Sequence, residues 1–179
     1  MARLVSPSPD FRVSFVAAMA EFQAEGRGGS DDDSNIGSNI RDFGPAWTSA
    51  DGFERYVSWL RAQTLEDTPR PAGHVPSTTL WWVDGEKYLG RIAIRHRLTK
   101  RLRDFGGHIG YDVRPTARRR GYATAMLREA LPLAHDLGID PVLVTCDHDN
   151  VASRKVIEAN GGVFEDQRGI KLRFWLPTS

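Results

Sequence analysis

The chain has 179 residues, 40% of them hydrophobic, and a formal net charge of +1, which suits one folded domain spanning 1–179. So small a net charge excludes a surface committed throughout to nucleic acid or to an anionic membrane. Cys146 is the single cysteine, so neither an internal disulfide nor a thiolate metal cluster is expected. No apolar run approaches the roughly 20 residues of a membrane span, and a soluble cytoplasmic protein follows.

After a short extended start, Ser8-Pro9 supplies a cap and a first-turn proline, and Phe11, Phe15, Ala18, Met19 and Phe22 recur at helical spacing. Residues 26–38 are rich in Gly, Ser, Asp and Asn and predict a mobile loop containing the acidic run Asp31, Asp32 and Asp33. A second helix is predicted over about 49–65, with Phe53, Tyr56, Val57 and Leu60 facing inward, before Pro69, Pro71 and Pro76 break the pattern. The chain then turns β-rich. Residues 78–83 read as a strand, Asp84-Gly85 as a tight hairpin turn and 87–96 as the partner strand. A basic connection over 98–105 leads to a strand at 107–113 and a turn at Pro115-Thr116-Ala117.

From about 119 to 135, Ala123, Met126, Leu127, Ala130, Leu131 and Ala134 mark a long helix, stopped by Gly138. The apolar run 141–146 predicts a buried strand, Asp149-Asn150 cap a helix to about 160, and Gly161-Gly162 end it before closing strands at 163–165 and 171–176. The resulting order, β-α-α-β-β-β-α-β-α-β-β, has no internal repeat and implies a mixed sheet with helices on its faces.

Arg118, Arg119 and Arg120 stand out because they fall at the start of the long helix. A helix N-terminus carries about half a positive charge, and each cation placed there costs roughly 0.3–1 kcal/mol unless something neutralises it. Free N–H groups, a glycine and local positive charge make an anion site, and a phosphate group fits it.

Val113-Arg114-Pro115 followed by Arg118-x-x-Gly121-x-Ala123 resembles the acyl-CoA signature of the GNAT superfamily of N-acyltransferases. Asn150-x-x-Ser153, opening the next helix, resembles that family's second cofactor element. The resemblance spans roughly 78–176 by motif and the N-terminal helices by topology. It implies a mixed, largely antiparallel α/β sheet whose strands at 107–113 and 141–146 splay apart, with helices on both faces. It further implies acetyl-CoA as cosubstrate and no metal. The amides from about Arg119 to Thr124, including Gly121, Tyr122 and Ala123, are placed to cradle a pyrophosphate, with the side chains of Arg118, Arg119 and Arg120 adding charge-assisted bonds. Pantetheine would pair with backbone near Val113 like an added strand, Asn150 and Ser153 would meet the cofactor, and Lys155 is either a contact for the ribose phosphate or a surface lysine.

Many members of that family place a tyrosine seven residues after the helix-opening asparagine, as the acid for the departing thiolate. Here that position is Ile157. For the base that removes the amine's proton, His108 is the leading candidate, since an ordinary histidine titrates near neutrality; the alternative is a structural histidine bonded within the sheet. Asp112 shares its strand face by period-two alternation and is either a partner of that imidazole, a substrate ligand, or turned away. Cys146 reads as a buried small hydrophobe rather than a nucleophile.

Candidate acceptor contacts are Asp32 and Asp33 in the acidic run and Trp82 and Trp175 as flat surfaces, against the alternatives of a solvated turn and core packing. An acidic, aromatic-lined pocket would favour a small cationic amine, for example an aminoglycoside-like antibiotic. The alternatives are a protein or peptide amine, or an acyl-CoA-binding module without catalysis. The basic cluster lacks the aromatic interleaving of a nucleic-acid surface. Homodimers are common in the family, and the resemblance carries that expectation here.

Overall fold

The computed structural model describes all 179 residues. The Asp84-Gly85 turn folds strand β2 (Ser77–Asp84) against β3 (Lys87–Arg95), with Ser77 opposite Arg95 and Asp84 opposite Lys87. β1 (Arg3–Val5) adds to the outer edge of β2, and β4 (Ile109–Val113) adds antiparallel to β3. Beyond β4 come β5 (Val142–Asp147), β7 (Lys171–Leu176) and β6 (Val163–Arg168), giving a seven-stranded sheet in the order β1-β2-β3-β4-β5-β7-β6. All its pairings are antiparallel except β4–β5.

Helices cover both faces. α1 (Arg12–Ala24), α2 (Asn35–Phe43) and α3 (Ala50–Ala62) lie on one side, and α4 (Tyr122–Asp136) and α5 (Val151–Ala159) on the other. Period-two alternation sends adjacent tryptophans into opposite cores. Trp81 stacks on Phe15 among the first three helices, whereas Trp82 packs beside Met126, Leu127 and Ala130. The first core is rich in aromatics: Phe15 contacts the rings of Trp47, Phe53, Tyr56, Trp81 and Tyr88.

Two elements differ from the sequence expectation. The loop expected at 26–38 ends inside α2. Ser34 caps that helix by accepting the Gly37 N–H at 3.1 Å, and Ile36 and Ile40 are buried against α1 and α3. Glycine, serine and asparagine mask a helix whose stability comes from those two isoleucines. The long helix begins at Tyr122 rather than near 119, because Arg119 (φ 64°) and Gly121 (φ 77°) are both left-handed. No helix is long and apolar enough to cross a membrane.

β4 and β5 share a single registered pair, Ile109 opposite Val144, and then part. Gly107 makes the junction possible: its φ is +66°, and a Cβ there would lie 2.6 Å from the Leu143 carbonyl oxygen.

Candidate active site

The opening between β4 and β5 exposes backbone. Arg95 N–H donates to His108 O and Arg114 N–H to Leu89 O, so the even-numbered residues of β4 turn their polar groups to β3. Ile109, Tyr111 and Val113 therefore turn theirs toward β5, and only Ile109 finds a registered partner there. The edge at Tyr111 and at the Val113 N–H is open to an extended ligand that adds itself as a strand, while the Val113 carbonyl already accepts from Arg118 Nε.

At the end of this opening stands the turn before α4. No protein group accepts a hydrogen bond from the N–H groups of Arg119 through Thr124, and the helix ladder starts only with Ala125 N–H to Gly121 O. Gly121, the N-cap, offers no side chain to fill that role. Arg119 and Gly121 are both left-handed, and left-handed residues alternating with others are the backbone pattern that turns successive N–H groups toward one anion.

The three arginines there are not equivalent. Arg118 makes a bidentate pair with Glu25, the C-cap of α1 (2.9 and 2.7 Å), and its Nε donates to Val113 O. Its charge is thus committed to holding the turn. Glu21, one helical turn earlier, binds Arg114 Nη2 at 2.7 Å and accepts from Thr116 N and Oγ1. Arg119 and Arg120 are exposed and join none of the ion pairs, which leaves them free to meet an anion.

On the α5 side, Asn150 caps the helix by accepting the Ser153 N–H at 3.1 Å, and Lys155 is exposed. Ser153 Oγ lies 2.7 Å from the hydroxyl of Tyr111, which projects from β4 toward the helix. Burial pushes the Tyr111 phenol up to about 12, so it is protonated throughout the neutral range. Sequence reasoning passed over Tyr111; its period-two position opposite the Gly110–Asp112 face was the available signal.

The opposite face of β4 presents His108, Gly110 and Asp112 toward α1–α3. Arg27 spans the space above it, its guanidinium donating to Asp32 at 3.0 Å and lying 3.5 Å from Asp112. Burial raises the Asp112 carboxyl from its ordinary value, opposed by the positive charges of Arg27 and of Arg91, its cross-strand neighbour on β3. Arg91 is itself buried beside Asn39, which accepts the Tyr56 hydroxyl at 2.6 Å. Trp175, half-buried on β7, donates its indole N–H to Glu165 at 2.8 Å.

Three expectations need correction. His108 is not placed to act as a base: its Nδ1 accepts the Leu143 N–H at 2.8 Å, so the neutral ring carries its proton on Nε2. Burial, with Arg103 and Arg95 nearby, lowers its pKa to about 4, and the ring stays neutral at physiological pH. Trp82 is only 3% exposed and belongs to the α4 core against Tyr122, away from the acceptor face. Asp32 is consumed locally, accepting from Arg27, from Gly28 N–H and from Ser34, so the segment around it is tied rather than loose. Asp31 and Asp33 are exposed. Cys146 is buried, and burial raises its thiol pKa, as expected of a packing residue.

A twisted, mostly antiparallel sheet parted beside an uncapped helix N-terminus defines an acyl-CoA-type transferase fold. The acetyltransferase (GNAT) domain family matches residues 38–163, so the chain belongs to the GNAT family of acetyltransferases. Its fold is similar to that of RimJ from Mycobacterium smegmatis in complex with CoA-disulfide (16% identity, 98% of this chain and 81% of that one, TM-score 0.66). It is also similar to the ribosomal-protein-S5-alanine acetyltransferase of Vibrio fischeri (12% identity, 99% and 93%, TM-score 0.65). PaiA N-acetyltransferase from Thermoplasma acidophilum in complex with coenzyme A shares it as well (14% identity, 99% of both chains, TM-score 0.60). No curated protein matches the chain in sequence.

The bonds to Asp32 make a pH-dependent contribution. Burial alone would raise this carboxyl, but hydrogen bonds from Ser34, Gly28 and Arg27 outweigh it and hold the pKa well below the ordinary carboxylate range. A depressed native pKa adds stability above the unfolded value near 3.8 and loses it as pH falls further. Asp32→Asn is therefore expected to cost about 1–3 kcal/mol at pH 7. It should also flatten the loss of stability below pH 4, as read from urea unfolding midpoints between pH 2.5 and 7.

Proposed function

We propose that this protein transfers the acetyl group of acetyl-CoA directly to a primary amine. The observation that carries the reading is the run of unpartnered N–H groups from Arg119 to Thr124, standing where the parted β4 edge leads. Coenzyme A has a pyrophosphate for the first and an extended, amide-bearing pantetheine arm for the second. Arg119 and Arg120 supply charge to the phosphates, and the backbone of Tyr111 and Val113 pairs with the arm. The thioester then lies toward the Ile109–Val144 junction, where the opening ends.

The amine approaches from the α1–α3 face, where Asp112 is the carboxylate on the β4 surface. Asp112 orients the ammonium and takes its proton, directly or through water, so that the nitrogen lone pair can attack the carbonyl. Arg27 fixes that carboxylate in place and links it to the α1–α2 connection through Asp32.

For the acceptor, the amine of a polypeptide is favoured. Glu165 is spent on Arg173 and Trp175 and Asp32 on Arg27, so Asp112, which receives a single ammonium, has no second free carboxylate among these residues to help hold a polycation. The likeness to RimJ and to the S5-alanine acetyltransferase supports the same class. A small cationic amine, aminoglycoside-like or polyamine, is the second reading; the exposed carboxylates of Asp31 and Asp33 favour it.

Ala123→Asp tests the donor site. A carboxylate in the first turn favours the helix dipole, so the thermal midpoint should hold or rise. Calorimetric affinity for CoA should nevertheless drop tenfold or more; unchanged affinity would remove the pyrophosphate from this turn.

A thiol-release assay with acetyl-CoA and two acceptor sets separates the acceptor classes. Short peptides beginning with Ala or Ser should turn over, and amino sugars and polyamines should give at most a tenth of that rate. The reverse ranking would favour the small amine, and no turnover with tight CoA binding would leave a binding module. Asp112→Asn should lower kcat on the accepted substrate about 10²-fold without changing CoA affinity; an unaltered kcat would take the proton-accepting role from Asp112.

A further inference from the structure

The thiolate that leaves in such a transfer needs a proton, and α5 does not supply one. Ile157, one turn beyond Ser153 on the same helix, is fully buried and carries no acid. A phenol nonetheless stands beside that helix, contributed by a different element. Tyr111 belongs to the stretch of β4 that has lost its β5 partner, and its hydroxyl reaches across to Ser153 Oγ at 2.7 Å.

Tyr111 also differs from the buried tyrosines of the aromatic core. It is only partly buried, and its one hydroxyl partner besides the Ser153 carbonyl is another hydroxyl, which can give or take a proton. It is thus a protonated acid placed at the wall of the opening, with a relay to the solvent-exposed start of α5.

We propose that Tyr111 is the catalytic acid that protonates the departing thiolate, supplied from β4 rather than from α5. The inference rests on the parted strands being the acetyl-CoA site. In the step, the nitrogen–carbon bond has formed and the carbon–sulfur bond breaks. Sulfur takes the phenolic proton to give the free thiol, and the phenol is restored by a proton from solvent passed through the Ser153 hydroxyl. On the opposite face the nitrogen loses two protons, the ammonium proton before attack and a second once the nitrogen–carbon bond has formed; one offsets the proton that solvent returns to the phenol and the other is released, so the charges balance.

The test reads the thiol of bound CoA, which needs no acceptor. A phenol donating to sulfur stabilises the thiolate, so the thiol of CoA bound to the wild-type protein should titrate below that of free CoA, followed by thiolate ultraviolet absorbance. Tyr111→Phe should bind CoA within threefold of wild type and raise the bound-thiol pKa by about one unit or more. With the peptide or amine found to turn over, it should also lower kcat 10- to 1,000-fold at unchanged KM for acetyl-CoA. Ser153→Ala, which leaves the phenol but removes its partner, should move the bound-thiol pKa in a smaller step; it also carries the titration if Y111F does not fold. Identical bound-thiol titrations in wild type and variant would overturn the role of Tyr111. Loss of CoA affinity with the titration of the residual complex unmoved would show a packing role only and overturn it too. Failure of the wild-type protein to bind CoA would instead overturn the reading of the opening itself, and the proposal with it.

Discussion

A strand inside a sheet normally spends its donors and acceptors on two neighbours. From Tyr111 to Val113, β4 keeps β3 and loses β5. An unsatisfied backbone group away from water costs about 1–3 kcal/mol, so such an opening persists only where solvent or a ligand replaces the missing strand. The sheet is firm on either side of it: β3–β4 is registered from Gly90 to Ile94, and β5–β7 from Val142 to Asp147. The parting is therefore a local feature between two well-paired halves. His108 holds its closed end. By accepting the Leu143 N–H, the imidazole satisfies a donor of β5 at the place where the strands meet, and Gly107 permits the close approach.

The second constraint is the N-terminus of α4. Six consecutive residues (Arg119, Arg120, Gly121, Tyr122, Ala123 and Thr124) present N–H groups without protein acceptors, beside arginines that the helix dipole alone would disfavour. Two glutamates one turn apart, Glu21 in the last turn of α1 and Glu25 at its C-cap, answer part of that difficulty. Glu25 neutralises Arg118 and Glu21 secures Arg114 and Thr116, so the turn is fixed from the opposite side of the sheet while Arg119 and Arg120 stay free. An anion in the turn would offset the remaining charge.

What the sequence disclosed follows the range of the interactions. The Asp84-Gly85 hairpin and the Asn150 cap depend on residues close in the chain, and each is where local chemistry puts it, whereas the left-handed Arg119 and Gly121 start the long helix later than its apolar spacing predicts. The family resemblance drew on the same local motifs. The partners of Arg118, Arg27 and Tyr111 lie on other elements, and no spacing rule reveals them. Asp32 shows how a local signal misleads: an acidic run suggests a surface that attracts cations, yet its middle carboxylate folds back on Arg27, Gly28 and Ser34. His108 errs in the same direction, because a histidine's ordinary pKa gives no sign of a backbone N–H occupying its lone pair.

On the proposed reading, the parted strands also divide the chemistry between the two faces of the sheet. Alternation along β4 places Asp112 toward α1–α3 and Tyr111 toward α5, with a single peptide unit between them. A proton acceptor for an incoming amine and a proton donor for a departing thiolate would compete if they shared one pocket, since each could neutralise the other. Here the backbone separates them, and burial raises both groups: the Asp112 carboxyl lies above its ordinary value, against the pull of Arg27 and Arg91, which suits a proton acceptor, while Tyr111 stays protonated. A thioester lying in the opening would meet the acceptor on one side and the acid on the other. The geometry that leaves β4 short of a neighbour thus places the two groups on opposite sides of whatever lies in the opening.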